Sequence, residues 1–192
     1  MTASIERFAL AKVLLANPRM VRVKPGVGLF LARYMCRFRV KRAGHNLILH
    51  SHLPPFNGAG YTRFITEHLL ARSAGPSHAQ VGLTNECPQD CEYCYNKQRD
   101  GLPMDTSTIM RVIDDLRGMG VVWLGLTGGE PLLNPDIVKI TAHASGDCAV
   151  KLFTTGCGLT PDLARDLVKA GLFSVAVSLD HWEAARHDAV RR

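Results

Sequence analysis

The stretch VVWLGLTGGEPLLNPD, residues 121–136, runs from an apolar strand through a glycine turn to the start of a helix. Near-continuous apolar strands of this kind are typical of parallel sheets that are buried on both faces. The Asn134–Asp136 segment predicts a helix start, with Asn as the N-cap, Pro in the first turn and an acid beside it. This stretch therefore predicts one strand–helix unit of an α/β fold.

The same alternation of strand and helix continues on both sides of this stretch. Further strands are predicted at residues 79–84, 149–155 and 173–180, and helices at 106–117, after Asn134 and after Thr160. Strands separated by helices of about 10–15 residues favour βα units and a parallel sheet. Polar residues follow the predicted strands, and α/β folds build their sites at the carboxyl ends of their strands.

The first part of the chain differs from the rest in charge. Residues 1–77 hold 12 Lys and Arg against two acids, a net charge of +10, whereas residues 78–192 carry −4. Helices are predicted at 4–16 and 27–42, with Gly44 as a helix stop, and a short strand at 46–53. The small, polar segment 71–79 predicts a boundary, so we expect a basic, mainly helical extension over 1–77 and a second domain over 78–192.

The chain shows no sign of export or of a membrane span. No run of about 18 uninterrupted apolar residues is present. Glu6, Arg7 and Lys12 make the N-terminus a poor secretory signal. We therefore expect a cytoplasmic protein whose six cysteines stay reduced, and clustered thiols there favour metal binding over disulfides.

Three cysteines are clustered in NECPQDCEYCYN, residues 85–96, directly after the first strand of the second domain. Cys87, Cys91 and Cys94 are three thiolate ligands without a neighbouring fourth. Thiolates favour iron–sulfur clusters or zinc over hard cations. Three of them would hold three irons of a [4Fe–4S] cluster and leave the fourth iron open, as working metal sites require.

The alternative to a cluster is a structural zinc site completed by Cys148, Cys157 or His78. Without such a role, Cys36, Cys148 and Cys157 are expected to be small buried apolar residues. Cys157 follows the predicted third strand, and a second cluster or a catalytic thiol at that position is a further alternative.

The motif Cys87-x3-Cys91-x2-Cys94, with Tyr93 before its third cysteine, resembles that of the radical S-adenosylmethionine (radical SAM) superfamily. The segment Gly128–Pro131 resembles the glycine-glycine-glutamate motif of this family.

Later stretches carry the resemblance further. Thr154–Gly156 and Ser178–Asp180 are similar to the family's sequences after its third and fourth strands. His187, Asp188 and Arg191 resemble the branch that makes molybdenum-cofactor precursors and modifies peptides. The resemblance covers about residues 78–192.

The resemblance implies a partial radical SAM (β/α)6-type barrel of which about four βα units are present. The fifth and sixth strands and a C-terminal substrate domain would be missing, so we expect a fragment, a truncated product or a split protein. An open edge of a parallel sheet would be left exposed.

The resemblance also implies roles for individual residues. Cys87, Cys91 and Cys94 would ligate a [4Fe–4S] cluster, and S-adenosylmethionine (SAM) would bind its open iron. Glu130 would hold the methionine amine of SAM, and Tyr93 would lie near its adenine. The other residues expected at the cofactors are Gly128, Gly129, Pro131, Thr155, Ser178 and Asp180.

The chemistry implied is reductive cleavage of SAM to a 5′-deoxyadenosyl radical that abstracts hydrogen from a substrate, with the cofactor supplying the reactivity. A reductant such as flavodoxin or ferredoxin would be a partner. Neither the substrate nor a catalytic residue can be assigned from the sequence. The alternative function is a zinc-stabilised binding module without SAM chemistry.

The basic segment has three interpretations. It is a solvated face, or residues 1–45 contact an anionic membrane surface, because apolar side chains alternate with arginines there. Nucleic acid is the least favoured partner, because no RNA-binding module is visible.

Overall fold

The computed structural model describes residues 4–6, 9–35, 37, 39–71, 75–97 and 101–192. Cys36 lies outside the described residues, as does part of the predicted boundary segment 71–79. The chain divides into two compact units. The first comprises Met1–His78, Leu116–Trp123 and Asp147–Ala149, and the second comprises Ala79–Asp115, Leu124–Gly146 and Val150–Arg192.

Three short antiparallel strands belong to the first unit: β1 (Ser4–Glu6), β2 (Val40–Ala43) and β3 (Asn46–Ile48), in the order β1-β2-β3. The helix predicted to run to residue 42 is wrong beyond residue 35, and the strand predicted to reach residue 53 ends at Ile48. Strand β2 forms instead because it pairs on both sides. Gly44, with a φ of 60°, turns the β2–β3 hairpin rather than ending a helix.

The helices of this unit are α1 (Ala9–Ala16), a 3-10 helix (Pro18–Arg22), α2 (Pro25–Met35) and α3 (Ala59–Phe64), which continues as a π-helix (Ile65–Leu70). The helix predicted from residue 4 begins only at Ala9, because Ser4–Glu6 pair in β1. The core of the unit consists of Val13, Met20, Met35, Val40, Leu49, Phe56, Tyr61 and Ile65.

Arg63 of α3 links this core to two later stretches of the same unit. Its guanidinium donates to the carboxylates of Glu67 at 2.8 Å and Asp147 at 2.7 Å. Arg117 donates to the other oxygen of Asp147 at 2.8 Å. The Trp123 indole N–H donates to the Ser51 carbonyl at 2.9 Å. Residues 116–123 and 147–149 are thus bonded to the N-terminal segment within one unit.

The second sheet consists of β4 (His78–Gly82), β5 (Trp123–Thr127), β6 (Ala149–Thr154) and β7 (Ser174–Val177), in chain order. Its strands are parallel, and β6 and β7 pair from Lys151↔Ser174 to Thr154↔Val177. The helices that follow the strands are α4 (Thr106–Gly118), a 3-10 helix (Pro131–Leu133), α5 (Ile137–Ala144), α6 (Pro161–Lys169) and α7 (Ala184–Arg191). The predicted α/β fold with about four βα units is confirmed.

The central strands β5 and β6 are buried, whereas β7 exposes Val175 and Val177. Thr160 caps α6 as predicted, accepting from the Leu163 N–H at 3.2 Å. The prediction of Asn134 as the N-cap of α5 is wrong. The 3-10 helix delays the start of α5 to Ile137, so Asp136 takes the N-cap position. The Asn134 side-chain oxygen accepts from the Asp136 N–H at 2.9 Å, and its amide donates to the Leu83 carbonyl at 3.1 Å.

Across the part of the chain that the structure describes, no helix combines the length and the apolar character needed to cross a bilayer.

Candidate functional site

A cavity of about 160 Å³ lies in the second unit, where the loops after β4, β5, β6 and β7 converge. Side chains from all four loops and from α7 line it, as expected for the carboxyl edge of a parallel sheet. The lining residues are Cys87, Gln89, Cys91, Tyr93, Cys94, Tyr95, Thr127, Gly128, Gly129, Phe153, Thr154, Thr155, Ser178 and Arg191.

The three clustered cysteines reach this cavity from one loop without regular secondary structure. Cys91 is buried, whereas Cys87 and Cys94 are half-buried, and none of these three described cysteines is in a disulfide. A turn joins the last two, with the Cys94 N–H donating to the Cys91 carbonyl at 3.2 Å. The loop therefore brings three thiols to one wall of a cavity.

The chemistry of these three donors bears on which metal group they fit. Within the described ranges, no group of three or more His, Cys, Asp or Glu side chains is arranged to hold a metal ion. A zinc ion needs four ligands that converge on one point, with Zn–S distances of about 2.3 Å. An iron–sulfur cluster gives each thiolate its own iron, so its ligands stand farther apart. Three thiolates on one loop are the donors that an iron–sulfur cluster takes, one on each of three irons.

None of the three proposed fourth zinc ligands lines the cavity. The Cys148 thiol is buried, as predicted, and donates to the Val121 carbonyl at 3.1 Å. Burial raises the pKa of this thiol to about 11. The Nε2 atom of His78 lies 2.6 Å from the His52 carbonyl oxygen. Cys157 is exposed, so the prediction that it is buried is wrong; it lies in the turn after β6.

Gly128 and Gly129 bring two loops into backbone contact. The Gly129 N–H donates to the Thr84 carbonyl at 2.8 Å, and the Glu130 N–H donates to the Glu86 carbonyl at 2.7 Å. A Cβ atom at either glycine would overlap a carbonyl oxygen of the loop after β4, and Gly128 has a φ of 131°. The two glycines thus allow the loop after β5 to pack closely against the start of the cysteine loop. Both glycines also line the cavity.

Glu130 is fully buried and does not line the cavity. Its Oε1 accepts from the Leu132 N–H at 3.1 Å and the Thr154 hydroxyl at 2.6 Å. Its Oε2 accepts from the Thr155 N–H at 2.8 Å and the Thr155 hydroxyl at 2.7 Å. These four donors fill the acceptor positions of a carboxylate. Glu130 therefore ties the loop after β5 to the end of β6.

Tyr93, Asp180 and Arg191 form a hydrogen-bonded group that we call the α7 clasp. The Tyr93 hydroxyl and the Arg191 Nε–H both donate to Asp180 Oδ2, at 2.7 and 2.6 Å. Arg191 also donates to the Gln89 side-chain carbonyl at 3.3 Å, and its own carbonyl accepts from the Asp90 N–H at 3.2 Å. The clasp thus joins α7 to the cysteine loop.

The clasp shifts the pKa values of its members. Hydrogen bonds from Tyr93 and Arg191 hold the pKa of the Asp180 carboxyl below its usual value. The bond to Asp180 raises the pKa of the Tyr93 phenol. At neutral pH this leaves a neutral phenol beside an ion pair. The guanidinium lies 5.9 Å from the centre of the Tyr93 ring.

The structure brings together most of the predicted site residues. Cys87, Cys91, Cys94, Tyr93, Gly128, Gly129, Thr155 and Ser178 all line the cavity, whereas Glu130, Pro131 and Asp180 do not. The cavity also has lining residues that were not predicted as site residues: Gln89, Tyr95, Thr127, Phe153, Thr154 and Arg191. Thr127 and Thr154 could have been predicted as site residues from the sequence, because each is the polar residue that ends a strand.

Comparison with known proteins decides the family. The profile described as the radical SAM superfamily matches residues 81–192, more than half of the chain. The chain belongs to the radical SAM superfamily. The predicted resemblance is thereby confirmed.

Relatives agree with this membership, and a solved structure shares the fold. The PqqA peptide cyclase of Ruegeria pomeroyi is 40% identical over 105 residues, which cover 50% of this chain and 27% of that protein. The PqqA peptide cyclase of Methylocella silvestris is 36% identical over 112 residues, covering 56% and 30%. Streptococcus suis SuiB bound to the precursor peptide SuiA matches 62% of this chain and 27% of its own, with a TM-score of 0.55 and 16% identity.

The SuiB comparison supports the fold alone. The chain spans about a third or less of the length of the curated relatives that it matches. Members of the superfamily use a [4Fe–4S] cluster and SAM, so the predicted cofactors are those of the family. The three thiols at the cavity and the glycine backbone beside them fit these groups.

Proposed function

We propose that this protein is a radical SAM enzyme that acts on a peptide. The observation that carries the proposal is the convergence of the cysteine loop, Gly128–Gly129 and the end of β6 on one cavity. The relatives named PqqA peptide cyclase support a peptide as the substrate class.

In this proposal, Cys87, Cys91 and Cys94 bind three irons of a [4Fe–4S] cluster and leave the fourth open for SAM. When bound and supplied with one electron, these cofactors would provide the cleavage of SAM to methionine and a 5′-deoxyadenosyl radical, which would take a hydrogen atom from the substrate to give 5′-deoxyadenosine and a substrate radical. The residues of the chain bind these groups, orient them and shield them from water. A small protein such as flavodoxin or ferredoxin is the proposed electron donor.

We assign the polar residues of the cavity to SAM. The Gly128–Gly129 backbone and the hydroxyls of Thr155 and Ser178 bind its polar groups, and the Tyr93 ring lies near its adenine. Glu130 can reach the methionine amine only if a protein donor leaves its carboxylate, because four donors already occupy it. Pro131 and Asp180 do not line the cavity and support its lining residues instead. Asp180 does so through its hydrogen bonds in the α7 clasp.

We place this chemistry in residues 78–192 and treat residues 1–77 as a basic extension. The proposed location is the cytoplasm, peripheral to a membrane. The support for membrane contact is the charge of residues 1–45, where Lys and Arg greatly outnumber the single acid, Glu6.

The proposal is tested by measuring 5′-deoxyadenosine formation. The anaerobically reconstituted chain is incubated with SAM and dithionite, and the products are separated by chromatography. We expect 5′-deoxyadenosine from the wild-type chain and none from Cys91→Ala. A wild-type chain that carries four irons yet releases no 5′-deoxyadenosine would contradict the proposed activity.

A further inference from the structure

Large apolar side chains project into solvent from residues 14–30 of the first unit. Leu15 and Val21 are 83% and 81% exposed, and Phe30 is 65% exposed. The other exposed apolar side chains of this stretch are Leu14, Val27 and Leu29. Single exposed apolar residues are ordinary, but several in consecutive packed segments mark an interaction surface.

Basic side chains are interspersed with these apolar ones. Arg19, Arg22, Lys24 and Arg33 are all exposed. No Asp or Glu occurs anywhere between Glu6 and Glu67 in the sequence. This stretch therefore has no acid of its own, and a partner with negative charge and an apolar layer would match it.

The buried residues of the same segments fix this surface in place. Val13 of α1, Met20 of the 3-10 helix and Met35 of α2 are all in the core of the unit. Helix α1 packs against both the 3-10 helix and α2. The side chains that point away from the core are thus held by folded segments rather than by a free tail.

We infer that the exposed side chains of residues 12–33 form a membrane-insertion face that docks on anionic lipid. Leu15, Val21 and Phe30 enter the boundary between headgroups and acyl chains, while the arginines and Lys24 contact lipid phosphates and carboxylates. This inference rests on the proposed peripheral location and goes beyond it, because it assigns the contact to insertion of named apolar side chains. It is independent of the proposed radical chemistry.

The apolar side chains favour lipid over the other anionic partners. Nucleic acid presents phosphates and base edges, which would be matched by the basic residues but leave exposed Leu15 and Val21 without a role. An acidic protein surface would match the charges and would need its own apolar patch. A bilayer of anionic lipid supplies both features.

Vesicle sedimentation of the full chain tests the inference. The triple variant L15S/V21S/F30S is compared with the wild type on phosphatidylcholine vesicles with and without phosphatidylserine. We expect the wild type to sediment with the anionic vesicles, and the triple variant to partition about tenfold less. The control L102S/V168S/W182S removes equally exposed apolar side chains of the second unit and is expected to sediment like the wild type.

A second measurement reports insertion directly. Phe30→Trp is expected to add a fluorescence component that brominated lipids quench, over and above that of the wild-type tryptophans. Thermal unfolding of each variant establishes that these exposed substitutions leave the fold intact.

The outcomes separate the inference from the proposals on which it builds. Equal sedimentation of the wild type and L15S/V21S/F30S overturns insertion and leaves a purely electrostatic contact. No sedimentation at low salt overturns both insertion and the peripheral location. Binding to RNA or polyglutamate without binding to vesicles overturns the lipid assignment in favour of another anionic partner. None of these results bears on 5′-deoxyadenosine formation.

Discussion

At the scale of single residues, Glu130 holds two strand ends together through four hydrogen bonds to a buried carboxylate. Bonds to a charged group are stronger than neutral ones, and a buried donor that loses its acceptor is costly. The carboxylate therefore stabilises the wall of the cavity whether or not it also meets a ligand.

Glu130→Gln should destabilise the apo-protein by about 3 kcal/mol, because the amide NH₂ replaces an acceptor and faces the hydroxyl and N–H groups of Thr155. Urea unfolding followed by circular dichroism measures the change. Glu183→Gln, at a half-buried acid before α7 that pairs with the exposed Arg186, is the control and should change the unfolding free energy little. An unchanged unfolding free energy for Glu130→Gln would contradict the assigned hydrogen bonds.

Cys148 makes stability depend on pH in the alkaline range. The folded protein raises the pKa of this thiol from 9.0 to about 11 through burial, so the native state favours the neutral form. Its contribution to stability is fully present below pH 9 and is lost as the pH rises toward 11. The stability advantage of the wild type over Cys148→Ala should therefore shrink between pH 9 and 11.

Denaturant unfolding of the two proteins at several pH values in that range measures this difference. Cys157→Ala, which removes an exposed thiol, is the control for the loss of a cysteine. A difference between the wild type and Cys148→Ala that stays constant with pH would contradict the raised pKa.

At the scale of elements, the α7 clasp decides how firmly the cysteine loop is held. Arg191→Ala removes the bonds to Asp180 and Gln89 and should let the loop open more often. We expect Cys91, which is buried in the wild type, to be alkylated about tenfold faster in the apo-variant. Mass spectrometry of iodoacetamide-treated protein measures this rate residue by residue.

Arg186→Ala serves as the matched control for the clasp, since Arg186 lies on the same helix and pairs with Glu183 outside the clasp. Its Cys91 should react at the wild-type rate. If Arg191→Ala also left that rate unchanged, the clasp would not be what protects the loop.

The elements of the second sheet were largely predictable from sequence, because buried parallel strands such as β5 leave a continuous apolar run and Thr160 marks a helix start. The first unit was harder. Residues 40–43 follow a basic, helix-compatible stretch, and only pairing with β1 and β3 makes them a strand. The pairing with β1 joins residues that are far apart in the sequence and leaves no local pattern.

The same distinction applies to the site. The cysteine spacing and the glycines were visible in the sequence, because each motif is contiguous. The closure of the Glu130 carboxylate by Thr154 and Thr155, and the Tyr93–Asp180–Arg191 bonds, depend on loops that meet only in the folded sheet. Sequence therefore predicted the chemical groups better than their partners.

At the scale of the whole molecule, the first unit contains more than the basic extension. Trp123 and Asp147 belong to it and bond to Ser51 and Arg63 of the N-terminal segment. Without that segment, buried groups of residues 116–123 and 147–149 would lose their partners.

A chain of residues 78–192 alone should consequently unfold at a lower temperature than the full chain. Differential scanning calorimetry of the two proteins measures the difference. Asp147→Asn in the full chain should also lower the unfolding temperature. Equal unfolding temperatures for the short and full chains would contradict the joint unit.

The central claim is that Cys87, Cys91 and Cys94 hold an iron–sulfur cluster in this radical SAM protein. Anaerobic reconstitution with iron and sulfide, followed by metal analysis and visible absorption, tests it most directly. We predict about four irons and four sulfides per wild-type chain, with an absorption that dithionite bleaches. Cys91→Ala should lose the cluster, and Cys157→Ala should keep it. A colourless wild-type protein with one bound zinc, or equal iron in the two variants, would contradict the account.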